Sequence, residues 1–361
     1  MNVVMLPLSA ENPYQALLAE GLQHQDCAVT IPTHTVFLPE LLGLPKPRAV
    51  HLHWLEPFYT PSAGRPAMVN LAIFFIQLSA LKLTRTPIIW TLHNLRHHES
   101  RNSLLEGIAY AVVYRAAHSV VVHCQNAREQ LQAKIHAAEQ KPGKIIVIPH
   151  GNYRDAYANA LSRETARSRL GLSRDNLVFL SLGAVRDYKG GTELVESFSK
   201  MDVGHSARLL IVGKPQTERV RREIEGKAAR LGDRLLFVPD YVGSDDIQTY
   251  MNAADIFVAP FRNVLTSGSV ILALSFGKPV IAPRLGCLPE LLNDTSQFLY
   301  DPCDPDGLRL SLEAAVGSSS GALEALGHQA RRVADRLDWG MISVLTSQCY
   351  EQAWHEARPP R

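Results

Sequence analysis

The amino-acid sequence predicts two doubly wound α/β domains, because short apolar strand patterns alternate with helix-length segments along the whole chain. Several strand candidates, such as Ser119–His123 and Lys144–Pro149, are nearly continuous apolar runs. Such runs are typical of strands buried on both faces of a parallel sheet. The predicted strands are 2–8, 28–32, 49–54, 87–92, 118–123 and 144–148 in the first half, and 177–183, 207–213, 234–238, 255–260, 279–283 and 297–300 in the second.

Length and one polar segment divide the chain. Its 361 residues exceed one ordinary core and suit two domains. The segment 152–176 is rich in Arg and Ser and has no strand pattern, so it predicts the linker. We therefore expect one domain over 1–160 and a second over 161–335. Ligands bind beyond the carboxyl ends of the strands in doubly wound sheets, so two facing domains would place an active site in a central cleft.

Composition disfavours several classes of protein. The 37 basic and 35 acidic side chains give a formal net charge of +2, which offers no case for nucleic-acid binding. The five cysteines have no CxxC spacing, so no zinc site is predicted. Neither half has G-x-G-x-x-G after its first strand, which disfavours a dehydrogenase. The N-terminus opens at once with the strand pattern 2–8, so we expect no signal peptide and a cytoplasmic location.

The segment Ala67–Leu83 is the most apolar helix-length stretch of the chain. It is shorter than the ~20 residues that a membrane-spanning helix needs, and three polar residues interrupt it. It predicts a helix packed on a sheet. The alternative is a helix lying in a membrane surface, with Lys82 and Arg85 near the headgroups.

The loop after the first strand of the second half carries two cations, Arg186 and Lys189. Gly183 permits a tight exit from the strand, and Gly190–Gly191 open the next helix. Two cations on one short loop suit a pyrophosphate leaving group, because charge-assisted hydrogen bonds contribute roughly 1.5–3 kcal/mol each. The alternative is that both are solvated loop charges.

A second anion site is predicted at Ser267, Gly268 and Ser269, which follow the strand 255–260 and precede an apolar helix. Free backbone N–H groups, hydroxyl donors and the positive end of the helix dipole favour an anion there. Ser267 or Ser269 could instead only cap the helix, and both roles use the same geometry.

The order of these motifs resembles the donor domain of GT-B glycosyltransferases, and is most similar to family 4, the group 1 glycosyltransferases. The resemblance covers the whole chain and is strongest from 177 to 300. There G-x-x-R-x-x-K-G, Leu209–Gly213, Tyr250–Asp255 and S-G-S…G-K-P-V-I-A follow in order. The end of the chain, 336–361, resembles the terminal helix that crosses back to the first domain in this fold.

The resemblance implies that Arg186 and Lys189 bind the donor diphosphate and that the 267–269 turn cradles a phosphate. The turn Asp240–Gly243, which includes Val242, would face the nucleotide base. No metal and no cofactor is expected, because GT-B enzymes usually stabilise the leaving diphosphate with basic side chains and helix dipoles.

The sequence departs from the family in one motif. Family 4 members typically carry two Glu residues eight positions apart, which contact the donor sugar and the ribose, and the corresponding residues here are Val264 and Leu272. Neither side chain accepts a hydrogen bond, so ribose and sugar must be recognised differently. The retaining stereochemistry usual in the family therefore does not carry over.

Histidines cluster after the predicted strands of the first half. His51 and His53 lie along one strand, and His93, Asn94, His97 and His98 follow the next. A structural role fits His51, whereas histidines beyond strand ends lie where ligands bind. By the resemblance, His93 corresponds to the histidine of a T-x-H turn that contacts the donor sugar.

An inverting reaction needs a carboxylate to deprotonate the acceptor hydroxyl, and Glu99 is the first candidate and Glu56 the second. A retaining reaction needs no such base, and Glu99 would then position the acceptor. Glu99 with His97 and His98 could alternatively form a metal site, since these side chains suit metal ions.

Two further residues are predicted to line the cleft. Asn12 lies in the loop after the first strand, although with Pro13 it could simply start the next helix. His150 ends the last strand segment of the first domain.

These features predict a hexosyltransferase that uses a UDP- or GDP-linked sugar. By analogy with the family, the acceptor would be a lipid-linked saccharide, with polyprenyl diphosphate as the candidate carrier, at the inner face of the plasma membrane in bacterial exopolysaccharide or capsule synthesis. Two alternatives stay open: a nucleotide-sugar 2-epimerase on the same fold, and a catalytically silent nucleotide-sugar-binding subunit.

Overall fold

The computed structural model describes residues 1–9, 12–43, 45–62, 64–95, 103–135, 143–201, 206–293 and 298–358. The chain forms two compact units. Unit 1 combines Met1–Gly151 with Leu337–Arg361, and unit 2 is Asn152–Arg336.

Residues 152–160, which the sequence assigns to the first domain, are part of unit 2. The Asn152 side-chain amide donates to the Ala334 carbonyl at 2.9 Å. The backbone N–H of Tyr153 donates to the Ser275 hydroxyl at 3.0 Å. These buried hydrogen bonds tie the segment to helices of unit 2, a tertiary effect that has no local sequence signal.

Unit 1 is built around one parallel sheet. Its strands are β1 (Asn2–Leu6), β2 (Ala28–Thr30), β3 (Ala49–Leu52), β4 (Ile88–Thr91), β5 (Ser119–Val122) and β6 (Ile145–Val147). Its helices are α1 (Tyr14–Gln23), α2 (Leu38–Leu42), α3 (Ala67–Leu83), α4 (Ser103–Ala116), α5 (Gln125–Lys134) and α14 (Trp339–Ala357), with a 3-10 turn at Glu56–Phe58. The strand order is β2-β1-β3-β4-β5-β6.

Unit 2 repeats this plan. Its strands are β7 (Leu177–Leu182), β8 (Ala207–Val212), β9 (Leu235–Val238), β10 (Ile256–Val258), β11 (Val280–Pro283) and β12 (Leu299–Tyr300). Its helices are α6 (Arg163–Arg169), α7 (Gly191–Ser199), α8 (Glu218–Leu231), α9 (Ile247–Ala253), α10 (Gly268–Ser275), α11 (Leu288–Leu291), α12 (Gly307–Val316) and α13 (Ser320–Arg336), with 3-10 turns at Asp187–Lys189 and Gly232–Arg234. The strand order is β12-β11-β10-β7-β8-β9.

The predicted fold class is confirmed, because both sheets are parallel and every predicted strand is present. The strands β3, β4, β5 and β11 are buried at every residue, as expected for strands covered on both faces. Ligand sites are therefore expected at the carboxyl edge of each sheet.

The apolar segment forms α3 over the predicted residues. Leu71, Phe74 and Leu78 are among the residues that it buries. Two of its three polar interruptions, Asn70 and Gln77, are also buried, and the Gln77 side-chain oxygen accepts from the N–H of Phe37 at 2.7 Å. No helix within the described part of the chain is long and apolar enough to cross a membrane.

The last helix, α14, belongs to unit 1 and packs on α1. Its Tyr350 is fully buried, and the Tyr350 hydroxyl lies 2.7 Å from Nδ1 of His51 on β3. At its start, the Trp339 ring lies against Gly151, so closely that a Cβ on Gly151 would overlap the indole.

We expect Gly151→Ala to destabilise unit 1 by about 1–3 kcal/mol, because the added methyl group must displace the packed indole of Trp339. Urea unfolding followed by tryptophan fluorescence measures this loss. Gly226→Ala, on the surface of α8, is the control because a Cβ there meets nothing within 4 Å. Equal stability of the Gly151→Ala and parent proteins would contradict this account of the packing.

Candidate functional site

Close backbone contacts at glycines shape the carboxyl edge of the unit 2 sheet. Gly213 follows β8 with φ of 143°, and a Cβ there would overlap the Gly183 carbonyl at the end of β7. Gly190, with φ of 70°, lies equally close to the Pro260 carbonyl beyond β10. The loops after β7, β8 and β10 are therefore held together at one edge, and the first and third of them carry the predicted donor residues.

Lys189 ends the 3-10 turn Asp187–Lys189, and its ammonium folds back over the end of β7. Lys189 Nζ lies 3.2 Å from where a Cβ on Gly183 would stand, so a side chain at Gly183 would crowd it. The Arg219 guanidinium donates to both carboxylate oxygens of Asp187, at 2.9 and 2.7 Å. This exposed ion pair links α8 to the turn that carries Lys189.

Ser267 caps α10, because its hydroxyl accepts from the N–H of Val270 at 3.2 Å. The Ser267 and Ser269 hydroxyl oxygens lie 3.1 Å apart. The helix begins at Gly268, so the capping role weighed in the sequence analysis is present. It leaves the positive end of the helix dipole at the sheet edge, where an anion is favoured.

Three predicted donor residues line one small cavity of about 20 Å³, and they come from two separate sequence motifs. Gly183 and Lys189 contribute from the β7 loop, and Ser269 contributes from the start of α10. The Lys189 ammonium, the Gly183 backbone and the N-terminus of α10 therefore line the same cavity. This is a suitable chemical environment for a phosphate oxygen.

Arg186 lies elsewhere on the same loop. It lines a different cavity, of about 120 Å³, beside Arg219 and Arg262. Arg262 is itself paired with Glu193. Arg186 and Lys189 therefore line separate cavities in this structure.

The remaining predicted positions of unit 2 are partly or wholly buried. Val242 is half-buried in the turn after β9, and its neighbour Tyr241 is 67% exposed. Val264 and Leu272, the positions where relatives typically have Glu, are both buried. Their apolar side chains therefore pack in the interior of unit 2.

In unit 1, a histidine follows each of four strands that are adjacent in the sheet: His53 after β3, His93 after β4, His123 after β5 and His150 after β6. All four are buried. Their ring centroids lie 4.7 to 5.8 Å from the centroid of the Tyr14 ring. The carboxyl edge of this sheet is thus occupied by imidazoles around one tyrosine.

Three of these rings form a hydrogen-bonded chain with a defined direction. His123 Nδ1 lies 2.9 Å from the Ile148 carbonyl oxygen, which only accepts, so His123 Nδ1 carries the proton. In a neutral ring, His123 Nε2 then accepts from His93 Nδ1 at 3.4 Å. His93 Nε2 in turn accepts from His53 Nδ1 at 3.2 Å. His53 Nε2 is left as a buried acceptor with no partner among the described residues.

This chain constrains the role predicted for His93. Both of its nitrogens are engaged within unit 1, so a contact with a donor sugar would require His53 to release His93 Nε2. His51 has the structural role expected for it: its nitrogens lie 2.7 Å from the Tyr350 and Thr91 hydroxyls.

The other predicted residues of unit 1 lie at loops and turns. Asn12 accepts from the N–H of Tyr14 at 3.0 Å and so helps to start α1. His150 Nδ1 donates to the Gly151 carbonyl at 2.7 Å. Asn94 and Glu56 are half-buried, and Glu56 begins the 3-10 turn after β3.

His97, His98 and Glu99 lie outside the described residues, so their predicted roles stay predictions. Within the described ranges, no group of three or more His, Cys, Asp or Glu side chains is arranged to hold a metal ion.

Sequence reasoning missed two residues of the imidazole cluster and one buried carboxylate. His123 follows a strand directly, so the rule that selected His93 would have selected it too. Tyr14 carries no local signal, because its central position depends on four strands. Glu106 on α4 is buried, and its charge adds to burial in raising the pKa of Tyr59 and of Tyr110.

Burial lowers the pKa of five imidazoles of unit 1. Desolvation lowers the pKa of His51 and of His150 to about 3 and that of His123 to about 4. The pKa values of His53 and His93 are also well below the ordinary value, first by desolvation and then by neighbouring histidines. Because the folded pKa is depressed, the unfolded chain binds more protons below about pH 6.5.

We therefore predict that the free energy of unfolding changes little between about pH 7.5 and 6.5 and falls as the pH drops towards 4. Each histidine whose pKa is lowered in the folded chain steepens this loss, by at most about 1.4 kcal/mol per pH unit. Urea titrations between pH 7.5 and pH 5 measure the slope. His150→Gln should reduce the slope and the exposed His24→Gln should not; equal stability at both pH values would contradict the prediction.

Comparison with known proteins finds a family model that matches part of unit 2. Residues 176–316 match the family model described as "Glycosyl transferases group 1". A GDP-mannose:glycolipid 4-beta-D-mannosyltransferase of Xanthomonas campestris pv. campestris is 28% identical over 314 residues, covering 84% of this chain and 79% of the relative. A D-inositol 3-phosphate glycosyltransferase of Streptomyces avermitilis is 26% identical, covering 96% and 74%.

Solved structures share the fold across nearly the whole chain. Sucrose-phosphate synthase from Thermosynechococcus elongatus superposes with a TM-score of 0.74 at 19% identity, covering 98% of this chain and 99% of that one. Anabaena Alr3699/HepE in complex with UDP-glucose gives 0.73 at 17% identity, covering 98% and 100%. The resemblance seen in the sequence is thereby confirmed: the chain is a glycosyltransferase of the GT-B fold, and its residues 176–316 carry the group 1 family match.

Proposed function

We propose that this glycosyltransferase moves a hexose from a UDP- or GDP-linked donor to a lipid-linked saccharide in bacterial exopolysaccharide or capsule synthesis, working at the inner face of the plasma membrane. The observation that carries the donor side is the meeting of Gly183, Lys189 and Ser269 around one cavity. Among the relatives, the mannosyltransferase is named for a GDP-mannose donor and a glycolipid acceptor, which supports the proposed substrate classes.

In the proposed reaction the bond between the anomeric carbon and the donor phosphate oxygen breaks, and the acceptor hydroxyl oxygen bonds to that carbon. Negative charge then develops on the departing diphosphate. The Lys189 ammonium and the N-terminus of α10 would stabilise this charge, since preorganised donors in a site that excludes water act without reorganising. Arg186 would contact the diphosphate from the other side of the loop.

The acceptor hydroxyl must lose a proton in this step. If the reaction inverts the anomeric centre, we propose Glu99 or Glu56 as the base, and Glu56 lies at the start of the turn after β3. If it retains, the leaving diphosphate could take the proton, and these carboxylates would position the acceptor. His93 would contact the sugar only after exchanging its hydrogen bond with His53.

The membrane part of the proposal rests on the outward face of α3. Its exposed positions include Met68, Val69, Ile76 and Leu83, which are 72%, 44%, 67% and 86% exposed. Val69, Ile76 and Leu83 are seven residues apart, so they form one stripe along the helix. On the adjacent α4, Leu104 is also exposed.

Cations lie at the end of this stripe. Lys82 and Arg85 are exposed beside Leu83, and the Lys46 ammonium donates to the Thr84 carbonyl at 2.5 Å. An apolar stripe with a basic end suits a helix that lies in the headgroup region of an anionic lipid surface. Such a surface would also present a lipid-linked acceptor.

We expect Lys189→Ala to lower turnover by about 10²–10³, because the variant lacks one preorganised stabiliser of the leaving diphosphate. Release of UDP or GDP from the matching nucleotide sugar, in the presence of lipid-linked acceptor, measures the rate. Lys200→Ala, on the exposed end of α7, is the matched control. Turnover within twofold of the parent would remove Lys189 from the donor site.

We expect the Val69→Asp/Ile76→Asp variant to bind vesicles that contain phosphatidylglycerol at least ~10-fold more weakly, because two charges replace the apolar stripe. Vesicle flotation measures the binding, and added salt should also weaken it. Leu310→Asp, an exposed apolar residue of α12, is the control. Equal flotation of the double variant and the parent would overturn the membrane contact and leave the donor site untouched.

A further inference from the structure

A third and much larger cavity lies at the opposite edge of the unit 2 sheet. It has a volume of about 1000 Å³ and is lined where β7, β10 and β11 begin, by Leu177, Asp255 and Pro279 among others. The strands are parallel, so this amino edge is remote from the carboxyl edge that holds Lys189 and Ser269. We call it the back cavity.

Four cations line the back cavity: Arg163, Arg174, Lys278 and Arg331. They come from different parts of the chain, which are α6, the loop before β7, the turn before β11 and α13. Arg163 and Arg174 belong to the Arg-rich segment that the sequence analysis assigned only to a linker. The acidic lining residues are Asp175, Asp255 and Glu324.

Asp255 is already saturated by structural contacts. Its carboxylate accepts from Arg163 at 2.8 Å, from the buried Arg167 at 2.6 Å and from the N–H of Val178 at 2.8 Å. Arg167 also donates to four backbone carbonyls, so its role is structural. The one deeply placed carboxylate of the lining is therefore committed to holding unit 2 together.

Two cations of the lining have no such structural role. The side chains of Arg174 and Arg331 make no hydrogen bond or ion pair with a described residue, although both line the cavity. The Arg331 guanidinium lies beside Gly277, 3.1 Å from where a Cβ would stand, so the absence of a side chain at Gly277 makes room for it. An arginine fork placed in this way can bind two oxygens of one phosphate.

Lys278 places a positive charge at the C-terminus of α9. Its ammonium donates to the Ala254 carbonyl at 2.9 Å. Burial lowers the Lys278 pKa to about 8; Asp255 opposes this effect, and Arg163, Arg167 and Arg331 add to it. A bound anion would offset the mutual repulsion of these cations.

The lining also has an apolar part. Leu177, Phe276, Pro279, Val316 and Leu323 contribute to it. A volume of this size is in the range of small-molecule sites, and an apolar wall with a few charged groups is their usual composition.

We propose that the back cavity binds a small organic molecule that carries a phosphate or diphosphate group, at a site separate from the donor site. Arg174, Arg331 and Lys278 bind the phosphate oxygens, and the apolar wall contacts the organic part. This inference does not depend on the proposed function.

Inorganic pyrophosphate is the probe, titrated calorimetrically into the parent, Lys189→Ala, Arg174→Gln/Arg331→Gln and the control Arg169→Gln/Arg332→Gln. The control has the same charge change on α6 and α13 but lies outside the cavity lining. We expect one pyrophosphate site to bind roughly 100-fold more weakly in Arg174→Gln/Arg331→Gln. The same site should keep its affinity in Lys189→Ala and in the control. All four substituted arginines are exposed, so folding should be preserved.

Titrations of UDP and GDP into the same proteins separate this inference from the proposed function. We expect UDP or GDP to bind Arg174→Gln/Arg331→Gln as it binds the parent. Loss of UDP or GDP binding in Lys189→Ala alone would support the donor site independently. The inference is overturned if Lys189→Ala abolishes all pyrophosphate binding, or if the two double variants bind it equally.

Discussion

The carboxyl edge of the unit 2 sheet depends on two places where the backbone approaches itself so closely that only glycine fits. Gly190 lies against the Pro260 carbonyl, and Gly213 lies against the Gly183 carbonyl. Both glycines have positive φ, which other residues adopt only at a cost. These contacts align the loops after β7, β8 and β10, and the position of the Lys189 ammonium follows from that alignment.

Much of this arrangement could be predicted from local sequence. The strands are apolar runs bounded by turn residues, and α3 occupies the predicted residues because its polar positions are satisfied inside unit 1. The Ser267 cap could also be predicted, because serine directly before an apolar helix is a favoured N-cap residue. These features depend on interactions between residues that are close in the sequence, so a single sequence is enough to predict them.

The rest depends on contacts between distant residues. The unit boundary moves to 151/152 because Asn152 and Tyr153 bond to helices that come more than 100 residues later. The imidazole cluster was only half predicted. Tyr14 joins it from α1 through contacts between distant residues, whereas His123 directly follows β5 and could have been selected by the rule that selected His93. Arg186 and Lys189 line separate cavities because the 3-10 turn Asp187–Lys189 begins directly after Arg186, and the loop sequence alone did not reveal this turn.

The two units use polar groups in opposite ways. The carboxyl edge of the unit 1 sheet is lined by neutral, buried imidazoles whose hydrogen bonds run in one direction to the Ile148 carbonyl. The corresponding edge of unit 2 presents a cation and a helix N-terminus. A cation and a helix N-terminus favour an anion at the unit 2 edge, where we propose that the donor diphosphate binds.

The most direct test of this account is the binding of nucleoside diphosphates to the parent protein and to Lys189→Ala, measured as thermal stabilisation with UDP, GDP, ADP and dTDP. A ligand at about 100 times its dissociation constant adds about 2.7 kcal/mol of stability, which such a scan detects. The account predicts that one of these diphosphates stabilises the parent and that the variant loses most of that stabilisation. Equal stabilisation of both proteins, or none with any of the four, would contradict a donor site at the ends of β7 and β10.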